Sequence, residues 1–271
     1  MDLLHIIVLS FIQGITEFLP ISSSGHLILP HGLFGWPEQG LTFDVAVHVG
    51  TLIAVITYYR QDIIAIITDW SGSLVGKGHT DNSRLAWYIA AATVPAGLAG
   101  LAFDSYIEEN LRSTLIIAST TIIFGILLAF ADQKGDSNTK ELTAMTLKIA
   151  IIIGCFQAVA LIPGTSRSGI TITAALFFYF SREASAKFSF LLSIPIILLS
   201  GGYKTLQLLD ESVVNWFDLG LGVVLSAISA FICIHYFIKY INKIGMMPFV
   251  YYRIALGVFL FMYYAAGFFS I

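Results

Sequence analysis

Charge is scarce in this chain. Of 271 residues, 14 are Lys or Arg and 17 are Asp or Glu, so only 11% are charged. A water-soluble domain carries about 25%, which excludes that class here. The net charge of −3 says little about partners, because placement matters more than the sum in a chain like this; no nucleic-acid partner is expected. Cysteine is nearly absent. Cys155 and Cys233 both lie inside apolar runs, which excludes a disulfide framework and a cysteine metal site and predicts buried free thiols. The N-terminus lacks the basic n-region of a signal peptide. It begins Met1-Asp2, and Gln13 and Glu17 interrupt what would be the apolar stretch.

What is abundant is apolar sequence: 57% of residues, with a mean hydropathy of +0.84. The chain reads as an integral membrane protein. A membrane-spanning helix needs about 20 mostly apolar residues. Six runs qualify: 41–59, 85–103, 113–131, 186–206, 216–238 and 250–269. Two other regions, 3–33 and 146–180, each hold two shorter runs around a polar break.

Those two breaks organise the rest. One runs Gln13-Gly14-Ile15-Thr16-Glu17-Phe18-Leu19-Pro20-Ile21-Ser22-Ser23-Ser24-Gly25-His26. The other runs Gln157-Ala158-Val159-Ala160-Leu161-Ile162-Pro163-Gly164-Thr165-Ser166-Arg167-Ser168-Gly169. They align without a gap at an offset of 144 positions (157 against 13), pairing Gln13 with Gln157, Ser22 with Ser166, Ser24 with Ser168 and Gly25 with Gly169. Helices break at membrane depth where backbone lines a cavity instead of facing lipid. Each run after a break is too short to span, so both regions read as re-entrant helix–loop–helix hairpins.

The expected fold is therefore an all-α polytopic membrane protein in one membrane domain, 1–271. It has six transmembrane helices and two re-entrant hairpins, in repeats of about 1–131 and 146–271. Segments 60–84 and 132–145 are expected as cytoplasmic loops. Three crossings per half is an odd number, so the second half must sit inverted and the two breaks can meet near the midplane. In this topology one side collects Arg60, Lys77, Arg84, Lys134, Lys140, Lys148, Arg182, Lys187, Lys239, Lys243 and Arg253, against Arg112 and Lys204 on the other. The rich side is then cytoplasmic and both termini face outward.

Four residues are candidate catalytic groups. Glu17 is an ionisable residue at membrane depth, four residues after Gln13 and on the same helix face; the structural alternative is a side chain reaching the interface. Arg167 sits at the tip of the second break. It cannot shed its proton, and its fork suits phosphate oxygens; the alternative is a structural ion pair with Glu17. Ser23 and His26 are spaced three apart, so both can face one cavity, and either can attack phosphorus. For His26 the alternative is a lining residue that only hydrogen-bonds. Ser22, Ser24, Gly25, Thr165, Ser166, Ser168 and Gly169 form a candidate phosphate cradle with Gln13. In it, hydroxyls and two new helix N-termini point at one spot. Helix caps use the same residue types. Thr171 adds a hydroxyl or merely starts a helix. His48 reads as an intrahelical polar residue. The residues alone end at a membrane-embedded site for a phosphorylated lipid, with hydrolysis and transport both open; the rival reading is an inverted-repeat transporter or flippase.

Both motifs resemble those of the undecaprenyl-diphosphate phosphatases of the bacitracin-resistance protein type. The first family pattern, Glu/Gln-x-x-x-Glu then Pro-x-Ser-Ser-x-Gly-His, appears as Gln13, Glu17, Pro20, Ser22, Ser23, Gly25 and His26. The second, Pro-Gly-x-Ser-Arg-Ser-Gly-x-Thr, appears as Pro163 through Thr171. The chain departs at Gln13, where many relatives carry Glu. The resemblance implies release of the terminal phosphate of undecaprenyl diphosphate in the bacterial cytoplasmic (inner) membrane. That step recycles the carrier lipid for peptidoglycan synthesis and confers bacitracin resistance. It implies Ser23 as nucleophile with His26 as competitor, Glu17 in proton transfer, and Arg167, Ser166 and Thr171 on phosphate. It also implies Mg²⁺ or Ca²⁺, for which Glu17 would be the one anionic ligand. A homodimer is allowed by small residues such as Gly97, Gly100, Gly220 and Gly222, which can pack helices within or between chains.

Overall fold

The computed structural model describes residues 2–37, 40–133, 139–207 and 215–267. Among them there is no β-strand, only one isolated bridge between Lys140 and Phe180. The helices are α1 (Leu3–Thr16), α2 (Ser23–Leu27), α3 (Leu29–Phe34), α4 (Leu41–Tyr58), α5 (Arg60–Leu74), α6 (Asp81–Asn110), α7 (Thr114–Asp132), α8 (Leu147–Val159), α9 (Arg167–Phe177), α10 (Arg182–Gln207), α11 (Trp216–Ile244) and α12 (Met247–Ala265). Six of them, α4, α6, α7, α10, α11 and α12, are long and apolar enough to cross a membrane. They fall on the six runs expected from hydropathy, and the chain is a multi-pass membrane protein. Pro95 and Pro195 lie inside α6 and α10, as membrane helices tolerate when neighbours cover the freed groups. Leu98, Ile123, Phe130, Leu199 and Phe259 face outward, as lipid contact requires.

The first helix of each half is short: α1 has 14 residues and α8 has 13. Both fall short of the roughly 20 needed to span. Their packing shows the repeat. α1 lies against α11, and α8 lies against α6; α11 packs on α4, and α6 packs on α10; α12 packs on α7. Exchanging α1 with α8, α4 with α10, α6 with α11 and α7 with α12 maps this set of contacts onto itself. Each half's short first helix is thus seated on the other half's middle long helix. Small residues permit the approach. A Cβ on Gly14 would collide with Ser229, and one on Gly154 with the carbonyl of Ala92.

Several expectations are corrected here. Segment 60–84 is not merely a solvated connection, because Arg60–Leu74 is helical. It is tied down by Lys187 to Asp62 at 2.6 Å and by Thr80 to Asp69 at 2.7 Å. Asp132, where segment 132–145 begins, is held as well. Asp132 accepts from Arg182 Nε at 2.6 Å and from the Met246 amide at 3.0 Å. Cys155 is an exposed free thiol, not a buried one. Arg253 leaves the set of interfacial basic residues, because it is completely buried. Lys134 lies outside the described residues. Of the small residues considered for helix packing, Gly222 sits against Phe43 within the chain, whereas Gly97 and Gly220 have nothing within 4 Å of an added Cβ.

This packing yields a paired test. Gly154→Ala forces a methyl onto a backbone carbonyl and is expected to cost about 1–3 kcal/mol. Gly97→Ala, in open space, is expected to leave the melting temperature unchanged. Thermal unfolding of both in the same detergent checks it, and equal melting would contradict the seating of α8 on α6.

Candidate active site

The two breaks have the same local structure. Past α1 the chain turns at Leu19-Pro20, where the Ile21 amide donates to the Leu19 carbonyl at 2.8 Å. Past α8 it turns at Pro163-Gly164, where the Thr165 amide donates to Ile162 at 3.2 Å. Each turn ends on a serine with positive φ: Ser22 at 72° and Ser166 at 71°. A non-glycine residue held there costs about 1–3 kcal/mol and persists only where its surroundings enforce it. Each serine then caps the next helix. Ser22 Oγ accepts from the Gly25 amide at 3.4 Å, and Ser166 Oγ accepts from the Gly169 amide at 3.1 Å. Each hydroxyl also meets the serine two residues on, Ser24 at 3.2 Å and Ser168 at 3.3 Å. Gly164 (φ 86°) is needed on two grounds: its backbone is left-handed, and a Cβ would strike Thr120.

The breaks meet. Ser168 Oγ donates to the Leu19 carbonyl at 2.8 Å, crossing from one motif to the other. Arg167 Nη2 lies 2.7 Å from Glu17 Oε1. On its other oxygen, Oε2, Glu17 accepts from Ser23 Oγ at 2.9 Å and from Gln13 Nε2 at 3.0 Å. The structure therefore brings together Gln13, Glu17, Ser23 and Arg167, as the motif alignment required. Arg167 also stands over the Phe18 ring at 5.8 Å and reaches the Ser189 carbonyl at 3.4 Å. The site is buried on the Glu17 side and opens where Ser23 is half-buried and Ser24 is exposed.

Other expected residues are placed differently. His26 Nδ1 donates to the Ser22 carbonyl at 2.6 Å, and Nε2 accepts from the Tyr252 hydroxyl at 2.6 Å, the assignment that satisfies both nitrogens. Its ring stacks on Tyr252, 5.5 Å between centroids. Neither nitrogen is bonded to Ser23 or Glu17. Thr171 Oγ1 donates back to the Arg167 carbonyl at 2.9 Å and meets Ser189 Oγ at 2.7 Å. Thr165 Oγ1 is buried without a hydrogen-bond partner.

Sequence reasoning missed four contributors. His48 Nδ1 donates to the Asp44 carbonyl at 2.7 Å, as an intrahelical residue would, but Nε2 also lies 3.8 Å from Glu17 Oε2. Tyr252 holds His26, and Ser189 holds Thr171 and Arg167. Arg253 donates to the carbonyls of Thr121, Pro20, Gly164 and Thr165 at 3.0, 3.2, 3.0 and 2.9 Å. One signal existed for it: Val250, Arg253, Leu256, Gly257 and Leu260 form the buried stripe of α12, and Arg253 falls on it.

Few protein oxygens here are available to a divalent cation. Glu17 is the one carboxylate in the two motifs, and both its oxygens are committed. Gln13 Oε1 is buried without a donor, an amide oxygen of the kind hard cations accept. Among the described residues no three His, Cys, Asp or Glu are grouped to hold a metal. Ca²⁺ takes about six to eight oxygens and Mg²⁺ about six, part of them from water and substrate phosphates, so Glu17 and Gln13 are the residues that would hold such an ion.

The pair itself is testable. Removing one partner of a buried ion pair costs about 3–5 kcal/mol, because the other charge is stranded. Arg167→Ala is therefore expected to destabilise the parent strongly and a Glu17→Gln background much less. Unfolding of the four proteins of this cycle measures it; equal losses in both backgrounds would contradict the pairing.

Comparison with known proteins gives the family. The family described as Bacitracin resistance protein BacA matches residues 6–259. An undecaprenyl-diphosphatase of Saccharophagus degradans is 65% identical over 261 residues, covering 96% of this chain and 98% of that protein. An undecaprenyl-diphosphatase of Teredinibacter turnerae is 62% identical, covering 97% and 99%. One from Hahella chejuensis is 55% identical, covering 95% and 96%. With both motifs folded into one site and the match running nearly end to end, the chain belongs to the Bacitracin resistance protein BacA family.

Proposed function

We propose that this chain is a membrane phosphatase that hydrolyses undecaprenyl diphosphate to undecaprenyl phosphate and inorganic phosphate, returning the carrier lipid to peptidoglycan synthesis. The observation that carries the reading is the carboxylate of Glu17, which holds the Ser23 hydroxyl on one oxygen and the Arg167 guanidinium on the other. A nucleophile hydrogen-bonded to a base, beside an arginine, is the minimum set for phosphoryl transfer.

The steps follow from that set. Arg167 exchanges Glu17 for the terminal phosphate and stabilises its developing charge. That exchange frees Glu17 to take the Ser23 proton. Ser23 Oγ attacks the terminal phosphorus, forming an Oγ–P bond as the bridging P–O bond breaks. Glu17 passes the proton to the departing undecaprenyl phosphate. Water then attacks the phosphoserine; Glu17 takes its proton and returns it to Ser23 Oγ as phosphate leaves. His26 is not the nucleophile in this reading, because both its nitrogens are occupied by Ser22 and Tyr252. Its role is to hold the start of α2 in place. The isoprenoid tail stays in the lipid phase beside the apolar outer face.

In the same reading α1–α2 and α8–α9 are re-entrant hairpins of inverted repeats, entering from opposite faces of the bacterial inner membrane. Both termini then lie outside, as the skew in basic residues supports. The site opens outward at Ser24.

Two measurements test this. Ser23→Ala is expected to lose several orders of magnitude in phosphate release from a polyprenyl diphosphate, with the melting temperature retained. Activity within tenfold of the parent would overturn the nucleophile. A single cysteine at Ser24, with Cys155 and Cys233 replaced, is expected to react with a membrane-impermeant thiol reagent in intact cells. Labelling only after the cytoplasm is opened would reverse the topology.

A further inference from the structure

The Arg253 side chain belongs to neither motif, yet it touches both. It comes from α12 and is completely buried. It donates to the carbonyl of Pro20 in the first break, to those of Gly164 and Thr165 in the second, and to that of Thr121 in α7. Among the described residues no carboxylate lies within 4.0 Å of its guanidinium. It is therefore not half of an ion pair, and every partner found is backbone. A helix broken in an apolar medium strands its carbonyls, and each needs a donor. Arginine offers five donors in a rigid plane, and lysine three on a swinging point charge. Only the first can serve acceptors in two loops and a third helix at once.

The seat around this side chain is shaped for it. A Cβ on Gly169 would come within 2.9 Å of Arg253 Nη1, and a Cβ on Gly125 within 3.1 Å of Arg253 Cβ. Because a peptide is planar and trans, turning the Thr165 carbonyl onto Arg253 turns the Ser166 amide the opposite way. The guanidinium thus fixes how each loop faces.

We propose that Arg253 is a positioning residue for phosphoryl transfer. By clamping the carbonyls of both breaks from behind, it sets the register in which Ser23 and Arg167, one from each break, meet on Glu17. This inference rests on the reading of those three as the reacting groups. It assigns Arg253 no contact with substrate. A misplacement of about 1 Å between reacting groups can cost about a hundredfold in rate. The effect is expected in kcat, with binding of the lipid largely preserved.

The test compares Arg253→Lys with Gly257→Ala in purified full-length protein acting on a polyprenyl diphosphate. Gly257 lies at the same α7–α12 contact, where an added Cβ would strike Ile122, but it touches neither break. If Arg253 only glues the helices together, the two variants should lose kcat in the same proportion to their loss of melting temperature. The clamp predicts that Arg253→Lys loses about a hundredfold in kcat with KM within about threefold. Gly257→Ala, at equal or greater loss of melting temperature, should keep kcat within about threefold. Parent-like kcat in Arg253→Lys, or one common line for both variants, overturns the proposal. Should Arg253→Lys fail to fold, Gly125→Val presses on the same side chain from α7 without removing it. It is expected to lower kcat at unchanged KM, and parent kcat there also overturns the clamp. Ser23→Ala is measured alongside. Full activity in Ser23→Ala would refute the catalytic assignment and not the clamp; a dead Ser23→Ala with an unimpaired Arg253→Lys would refute the clamp alone.

Discussion

A helix cannot be interrupted inside a membrane unless something answers its freed carbonyls, since each one left bare in an apolar medium costs several kcal/mol. This chain interrupts two. The carbonyls of the second break are answered by Thr120 and Thr121 of α7 and by Arg253 of α12; those of the first are answered by Arg253 and by Ser168 of the other half. Neither break could be made alone. With α1 seated on α11 and α8 on α6, those contacts put Ser23 and Arg167 within reach of one carboxylate.

The ion pair at the centre has to be read in that light. Glu17 and Arg167 are 2.7 Å apart and mostly withdrawn from water. A buried pair of this kind is weak evidence for stability, because desolvation offsets most of the attraction. It is better evidence for a site held ready for an anion. In the proposed mechanism the guanidinium holds a counter-charge that it exchanges for phosphate. Ser23, which shares that counter-charge, would gain a base by that exchange. Binding and activation of the nucleophile are one event in that mechanism.

Much of this was legible in the sequence because it is periodic or repeated. The offset of 144 positions between the breaks is local information, and so are six long apolar runs. The contact of Glu17 with Arg167 was visible in the sequence only as the structural alternative to an anion site at Arg167. What was not legible comes from elsewhere in the chain. Tyr252 and His26 are 226 positions apart, and Arg253 and Pro20 are 233 apart. Arg253 resembled an interfacial base because it stands near the start of its helix beside Tyr251 and Tyr252; only its place on the buried stripe of α12 marked it. His48 looked like any polar residue satisfied by its own helix, and that is half of what it does. The helix at Arg60–Leu74 was hidden by its charges. Asp62 and Asp69 suggest solvent until Lys187 and Thr80 are seen beside them.

The central claim is that Glu17, Ser23 and Arg167 form one phosphate-transfer site built from both breaks. The most direct test is an experimental structure with vanadate and a polyprenyl phosphate bound. The account predicts vanadium bonded to or in line with Ser23 Oγ, Arg167 moved from Glu17 onto the vanadate oxygens, and Glu17 still touching Ser23. Vanadate bound away from Ser23, with the Glu17–Arg167 contact intact, would contradict it.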